Sequence, residues 1–85
     1  MYAVMFSQKD GKGDIGMASS VPKGENGHRV FAIATPDKDG KFPSVDAWDT
    51  AQQAADYITE MARIVPDLFG GTLNVKVIAV SEIPR

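Results

Sequence analysis

The 85-residue chain has no cysteine and a single histidine, His28. The first absence excludes disulfides and thiolate metal sites and removes any mark of an oxidising compartment. The second argues against a histidine-based zinc site within one chain, so no metal and no cofactor is expected. Long hydrophobic runs are missing too. Met1 to Phe6 passes straight into polar turn residues, with no basic leader, signal-length apolar core or cleavage-like site, and no later run approaches membrane-spanning length. A soluble, cytoplasmic protein without membrane contact is the expectation. Positive charge is the minority sign, with 9 basic against 11 acidic residues and a net charge of −2. That balance argues against a general nucleic-acid binder.

What is present is an ordinary globular composition, 44% hydrophobic and 24% charged. The length fits one domain over residues 1–85. A chain this short buries only about 60–65% of the surface it exposes when unfolded. With neither disulfides nor metals to help, self-association is the remaining aid, and a homodimer through the sheet face or edge is expected.

Periodicity supplies the elements. Trp48, Ala51, Ala55, Ile58, Ala62 and Val65 recur at spacings of three and four, which predicts an amphipathic helix over Asp46 to Val65. Asp46 or Ser44 is the expected N-cap, with Asp49 in the first turn at the positive end of the helix dipole. Alternation predicts strands at Tyr2 to Ser7, Ile15 to Ser20, Arg29 to Thr35 and Leu73 to Val80, with Phe42 opening a brief strand before Pro43. Gln8 to Asp14 and Pro36 to Lys41 carry turn chemistry. Val21 to Gly27, with Pro22, Gly24 and Gly27, is expected to lie outside regular structure. The order β-β-β-α-β predicts an α+β fold: a small, mainly antiparallel sheet of about four strands with one amphipathic helix packed on one face. The last strand can pair beside the first or the third.

Motifs with chemistry fail on their context. Gly11-Lys12-Gly13-Asp14-Ile15-Gly16 fits the dinucleotide pattern G-x-G-x-x-G, with Asp37 further on, but that pattern acts through a following helix N-terminus, and no helical stripe follows here. A glycine hairpin is the plainer reading. Asp37-Lys38-Asp39-Gly40 resembles a calcium-loop fragment, yet the position that must hold a bidentate glutamate is Trp48. His28 has no partner to orient it, and Ser7, Ser19, Ser20, Ser44 and Ser81 lack a nucleophile context. No catalytic residue is expected.

Two features carry a functional expectation. Residues 1–41 sum to +1 and residues 42–85 to −3, with the acidity concentrated on the helix. At about 100° per residue, Asp49, Gln53, Asp56 and Glu60 share one stripe, flanked by Tyr57. Such a stripe either serves solubility as a solvated face or docks a basic protein, such as a nucleic-acid-binding one. Secondly, the strands are apolar on both faces: Val30, Ala32 and Ala34 oppose Phe31 and Ile33, while Ala3 and Met5 oppose Val4 and Phe6. One helix covers one face. A loop at 21–27 or 66–72, or another chain, is expected over the second.

The run Asp46-Ala47-Trp48-Asp49-Thr50-Ala51-Gln52-Gln53-Ala54-Ala55, after a hairpin with a glycine turn, is similar to the strand-to-helix junction of antitoxins with a degraded RNase H-like fold (the HicB type). The likeness covers part of the chain, and here the Val21 to Gly27 loop and an added strand separate hairpin from helix. It assigns no family. The expected function is a non-enzymatic protein-interaction module, of the kind seen in small accessory or inhibitor proteins of phage and mobile elements. The alternative is an antitoxin-like or nucleic-acid-linked regulatory domain using Lys9, Lys12, Lys23, Arg29, Lys38 and Lys41.

Overall fold

In the computed structural model, residues 1–11, 13, 15–23, 28–42 and 44–83 are described. Three strands come first: β1 (Tyr2–Gln8), β2 (Gly16–Lys23) and β3 (His28–Ala34). Helix α1 (Ala51–Ile64) follows, then a π-type turn (Leu68–Thr72), β4 (Leu73–Ala79) and a 3₁₀ turn (Val80–Glu82). The strands form one sheet in the order β3-β2-β1-β4, with every neighbouring pair antiparallel. The last strand therefore pairs beside the first. This is the α+β arrangement read from the sequence, with α1 on one face.

The sheet is forked. β1 pairs with β4 along its whole length, from Tyr2 opposite Ala79 to Gln8 opposite Leu73, and β2 pairs with β3 from Met17–Ala34 to Lys23–His28. Among the described residues the ladder between β1 and β2 holds only at Met5–Met17 and Phe6–Gly16. Beyond that point residues 46–48 wedge between them: the Asp46 amide donates to the Ala18 carbonyl at 2.9 Å, and Tyr2 and Trp48 exchange two backbone hydrogen bonds of 2.8 Å. Ser20 Oγ donates to Asp46 Oδ1 at 3.2 Å, tying the wedge to β2. Val45 packs on one side of the sheet and Trp48 on the other, so the chain passes through the fork from face to face.

That passage corrects the expected start of the helix. Residues 46–48 are held extended by β1 and β2, and the cap is Thr50 rather than Asp46 or Ser44. Thr50 Oγ1 accepts from the Gln53 amide at 3.1 Å, while Gln53 Oε1 accepts from the Asp49 and Thr50 amides at 3.1 and 3.3 Å. This is a reciprocal capping box. Asp49 lies before the cap and Trp48 outside the helix. Pro22 also departs from expectation, since β2 runs through it to Lys23. The fork explains this: β2 pairs with β3 there and has left β1 behind, so an imino nitrogen interrupts no ladder on the far side. Of the segment 21–27, residues 24–27 lie outside the described residues. Phe42 forms no strand.

This chain covers the helix-side face and, on the second face, the part around Ala3 and Met17. On the helix side Val4, Phe6, Ala18, Ala54 and Phe69 are buried together, with Phe31, Ile33, Ile58, Met61, Val75 and Val77 against them. Phe69 from the π-type turn lies 5.1 Å from Phe6 and 5.5 Å from Phe31, ring centre to ring centre. On the second side Ala3 and Met17 are closed over by Phe42, Val45 and Ile83. The cover is thus the approach to the fork and the end of the chain. The 66–72 segment packs on the helix side instead.

Candidate functional site

Helix α1 turns Ala54, Tyr57, Ile58, Met61 and Ala62 toward the sheet and leaves Gln52, Gln53, Asp56, Thr59, Glu60, Arg63 and Ile64 exposed. Asp56 and Glu60 are four residues apart on that outer face, and Asp49 is exposed just before the cap. Each charged or polar group on the helix's outer face has a local tether. Gln52 Nε2 donates to Asp56 Oδ1 at 2.9 Å, and Arg63 pairs with Glu60. Gln53 spends its side-chain carbonyl on the cap. The signal for this, Thr50-x-x-Gln53, stands in the sequence as a capping-box pattern.

Tyr57 does not sit on the outer stripe. Its ring lies 4.6 Å from Trp48 at 40° and 6.1 Å from Phe69 at 76°, within the aromatic core. It is half-buried, and that burial, helped by the negative charge of Asp46, pushes its hydroxyl up to about 12. A phenol so placed stays protonated and neutral, which suits packing rather than acid–base work. The outer face therefore offers Asp49, Asp56 and Glu60 as charges, Gln53 as a support, and Tyr57 only as the aromatic floor behind them. Asp67, exposed beyond the helix end, extends the same sign.

The motif residues take structural places. Gly11 and Gly13 have φ of 74° and 84°, the left-handed region that a turn after β1 needs, and a strand rather than a helix begins at Gly16. Asp37 Oδ1 accepts from the Asp39 and Lys41 amides at 2.9 and 3.0 Å, closing its own turn. Lys12 and Asp14 lie outside the described residues. Among the described residues no three histidine, aspartate or glutamate side chains come together around a metal position, and no helix is long and apolar enough to cross a membrane.

Among the described residues the basic positions do not gather at one end of the sheet. Lys9 follows β1 beside the start of β2, and Lys38 and Lys41 follow β3 from that same end, whereas Lys23 and Arg29 stand at the far end of β2 and β3. The eight residues of β2 separate those ends by about 23 Å at roughly 3.3 Å per residue. A pocket of about 180 Å³ opens between β1, β3 and β4, where Ser7, Gln8 and Thr35 meet Phe6, Ile33 and Leu73. It has no titratable side chain in its wall and is smaller than the roughly 300–1,000 Å³ of typical small-molecule sites. Comparison with protein-family models, curated proteins and solved structures returns no match to this chain.

Proposed function

We propose that this chain is a non-enzymatic protein-binding module that docks a basic surface of another protein on the outer face of α1, through Asp49, Asp56 and Glu60. The observation that carries the reading is the charge of that face: Asp49, Asp56, Glu60 and, beyond the helix, Asp67 stand exposed, and Arg63 is the one cation on α1. A concentrated field of one sign raises encounter rates with an opposite surface and rejects like-charged ones. The tethers within the face support the same reading. Asp56 held by Gln52, and the helix start held by Thr50 and Gln53, lose less freedom on binding than loose side chains would. A chain without cysteine needs no oxidising compartment to fold, and the proposed setting is the cytoplasm. The module would serve there as an accessory or inhibitor protein.

The test is capture of the partner under three conditions: wild type, Asp56→Lys/Glu60→Lys, and the charge-matched control Asp39→Lys/Glu82→Lys. Asp39 and Glu82 are exposed and lie away from α1. Wild type and control should retain the same protein, with binding that weakens as salt rises, and the helix variant should lose it. Equal retention by all three would refute the acidic face as the docking surface.

A further inference from the structure

We infer that β3 is a self-pairing edge, at which two copies of this chain join antiparallel, β3 against β3, into one continuous sheet. The strand order leaves β3 and β4 as the two edges, and they differ in kind. At the middle of β4 stands Lys76, exposed, with Asn74 exposed beside it. Two copies of β4 paired about that middle would set lysine against lysine, a like-charge contact that disfavours pairing.

Edge β3 has no charge at its middle, since Arg29 stands near its start. Val30-Phe31-Ala32-Ile33-Ala34 is five residues long without charge or proline, and among the described residues β2 is the only element that packs along it extensively. An edge of this composition presents unpaired backbone N–H and C=O groups to another strand. The apolar surface continues around the edge. Val21 and Val30, opposite one another in the ladder, are 46% and 37% exposed on the second face, where the cover from Phe42, Val45 and Ile83 ends on Met17 and Ala34.

The strand is complementary to itself, which selects a second copy as its occupant. A two-fold axis through Ala32 sets Phe31 opposite Ile33 of the second copy on the helix side, and Val30 opposite Ala34 on the other. Each opposing pair is apolar, and aromatic and β-branched residues are favoured neighbours across strands. One isologous contact closes a dimer and leaves only the lysine-guarded β4 at the outer edges. It also enlarges the core of a chain too short to bury much on its own. The acidic face of α1 takes no part, so the two readings stand or fall separately.

Sedimentation equilibrium on the wild type should give twice the 9.1 kDa chain mass as concentration rises from micromolar to near-millimolar. Ala32→Lys and Ala32→Glu, each placing like charges together at the axis, should each raise the dimer dissociation constant at least about tenfold. An equimolar mixture of the two should dimerise again, because lysine then faces glutamate. Lys76→Glu and Asp56→Lys/Glu60→Lys should leave the mass unchanged. A wild type that stays a single chain throughout, an Ala32→Lys variant as dimeric as wild type, or a dimer dissociated by Lys76→Glu would each overturn the proposal. If circular dichroism shows that the Ala32 variants do not fold, hydrogen exchange on the wild type decides: the amides of Phe31 and Ile33, which point out of the edge, must gain protection with concentration while those of Val75 and Val77 on β4 do not. Protection independent of concentration would overturn it equally.

Discussion

Trp48 and Tyr57 stack with ring centres 4.6 Å apart, one from the segment that threads the sheet and the other from the helix that follows. Through this contact the helix leans on the wedge in the sheet, and the wedge on the helix. The Tyr57 hydroxyl shares in the cost: burial first, and Asp46 second, hold its proton up to about 12 from an ordinary 10.0. The unfolded chain releases that proton near pH 10 and the folded chain only near 12, so the folded state binds more protons between these values. Stability from this group is therefore whole below pH 10 and is lost as pH climbs from 10 to 12. Urea midpoints of the wild type should fall across that window, by an amount reduced by the hydroxyl's partial solvent access. Tyr57→Phe should flatten this part of the alkaline limb while keeping the stack.

Thr50→Ala should cost about 1 kcal/mol, the usual worth of an N-cap hydroxyl. Gln53→Ala removes the reciprocal half of the box and should destabilise in the same direction. The two losses should be non-additive in a double-mutant cycle, since each residue positions the other. Denaturant midpoints followed by helix circular dichroism provide the measurement. An Asp46→Ala change should act differently, by removing the Ser20–Asp46 hydrogen bond while leaving the backbone bond to Ala18 in place.

Gly16 allows β2 to pass under Ile33. A Cβ at position 16 would stand 2.5 Å from Ile33 Cγ2, a branch methyl fixed close to its own backbone. Gly16→Ala should therefore cost about 1–3 kcal/mol, as overpacking does. Adding Ile33→Ala removes the clashing methyl, so the double variant should lose less than the two single losses together. Thermal or urea unfolding of the four proteins checks both statements.

Phe42→Ala should destabilise by about 3 kcal/mol, the lower end for deleting a buried phenylalanine. The ring covers Ala3 and Met17, so the loss should come with increased binding of a hydrophobic dye. Helix content under native conditions should stay as in the wild type, because Phe42 does not touch the aromatic core. A neutral effect would mean that Val45 and Ile83 cover this face without it.

Much of the architecture lies in local patterns. Period-two alternation marks the strands, and Ile58, Ala62 and Val65 of the 3.6-residue stripe do face the sheet, but Ala51 is exposed and the inner face turns instead through Ala54, Tyr57 and Met61, because the helix starts only after Thr50. The apolar character of both strand faces correctly signals that each carries cover. What covers them is decided by long-range contacts. Trp48 stands three residues before Ala51 and so mimics the helical stripe, but Tyr2 claims its backbone for the sheet. The Thr50-x-x-Gln53 box is readable, yet Asp46 and Ser44 compete for the same role until Ala18 and Ser20 are seen to hold the wedge extended. At the candidate site the outward positions of Asp56 and Glu60 follow from helical angle alone. The burial of Tyr57 does not, because it depends on Trp48 across the cap and Phe69 in the turn after the helix.

The fork also sets an order of assembly. β2 and β3 are neighbours in sequence and pair along nearly all of β2, so they can close as a local hairpin. β1 has little to gain from β2 and takes most of its partners from β4, at the opposite end of the chain, and from Trp48. Pairings of such separation carry a loop-closure cost that slows their formation. β1 in this way gains most of its backbone pairing only when β4, far along the sequence, reaches it.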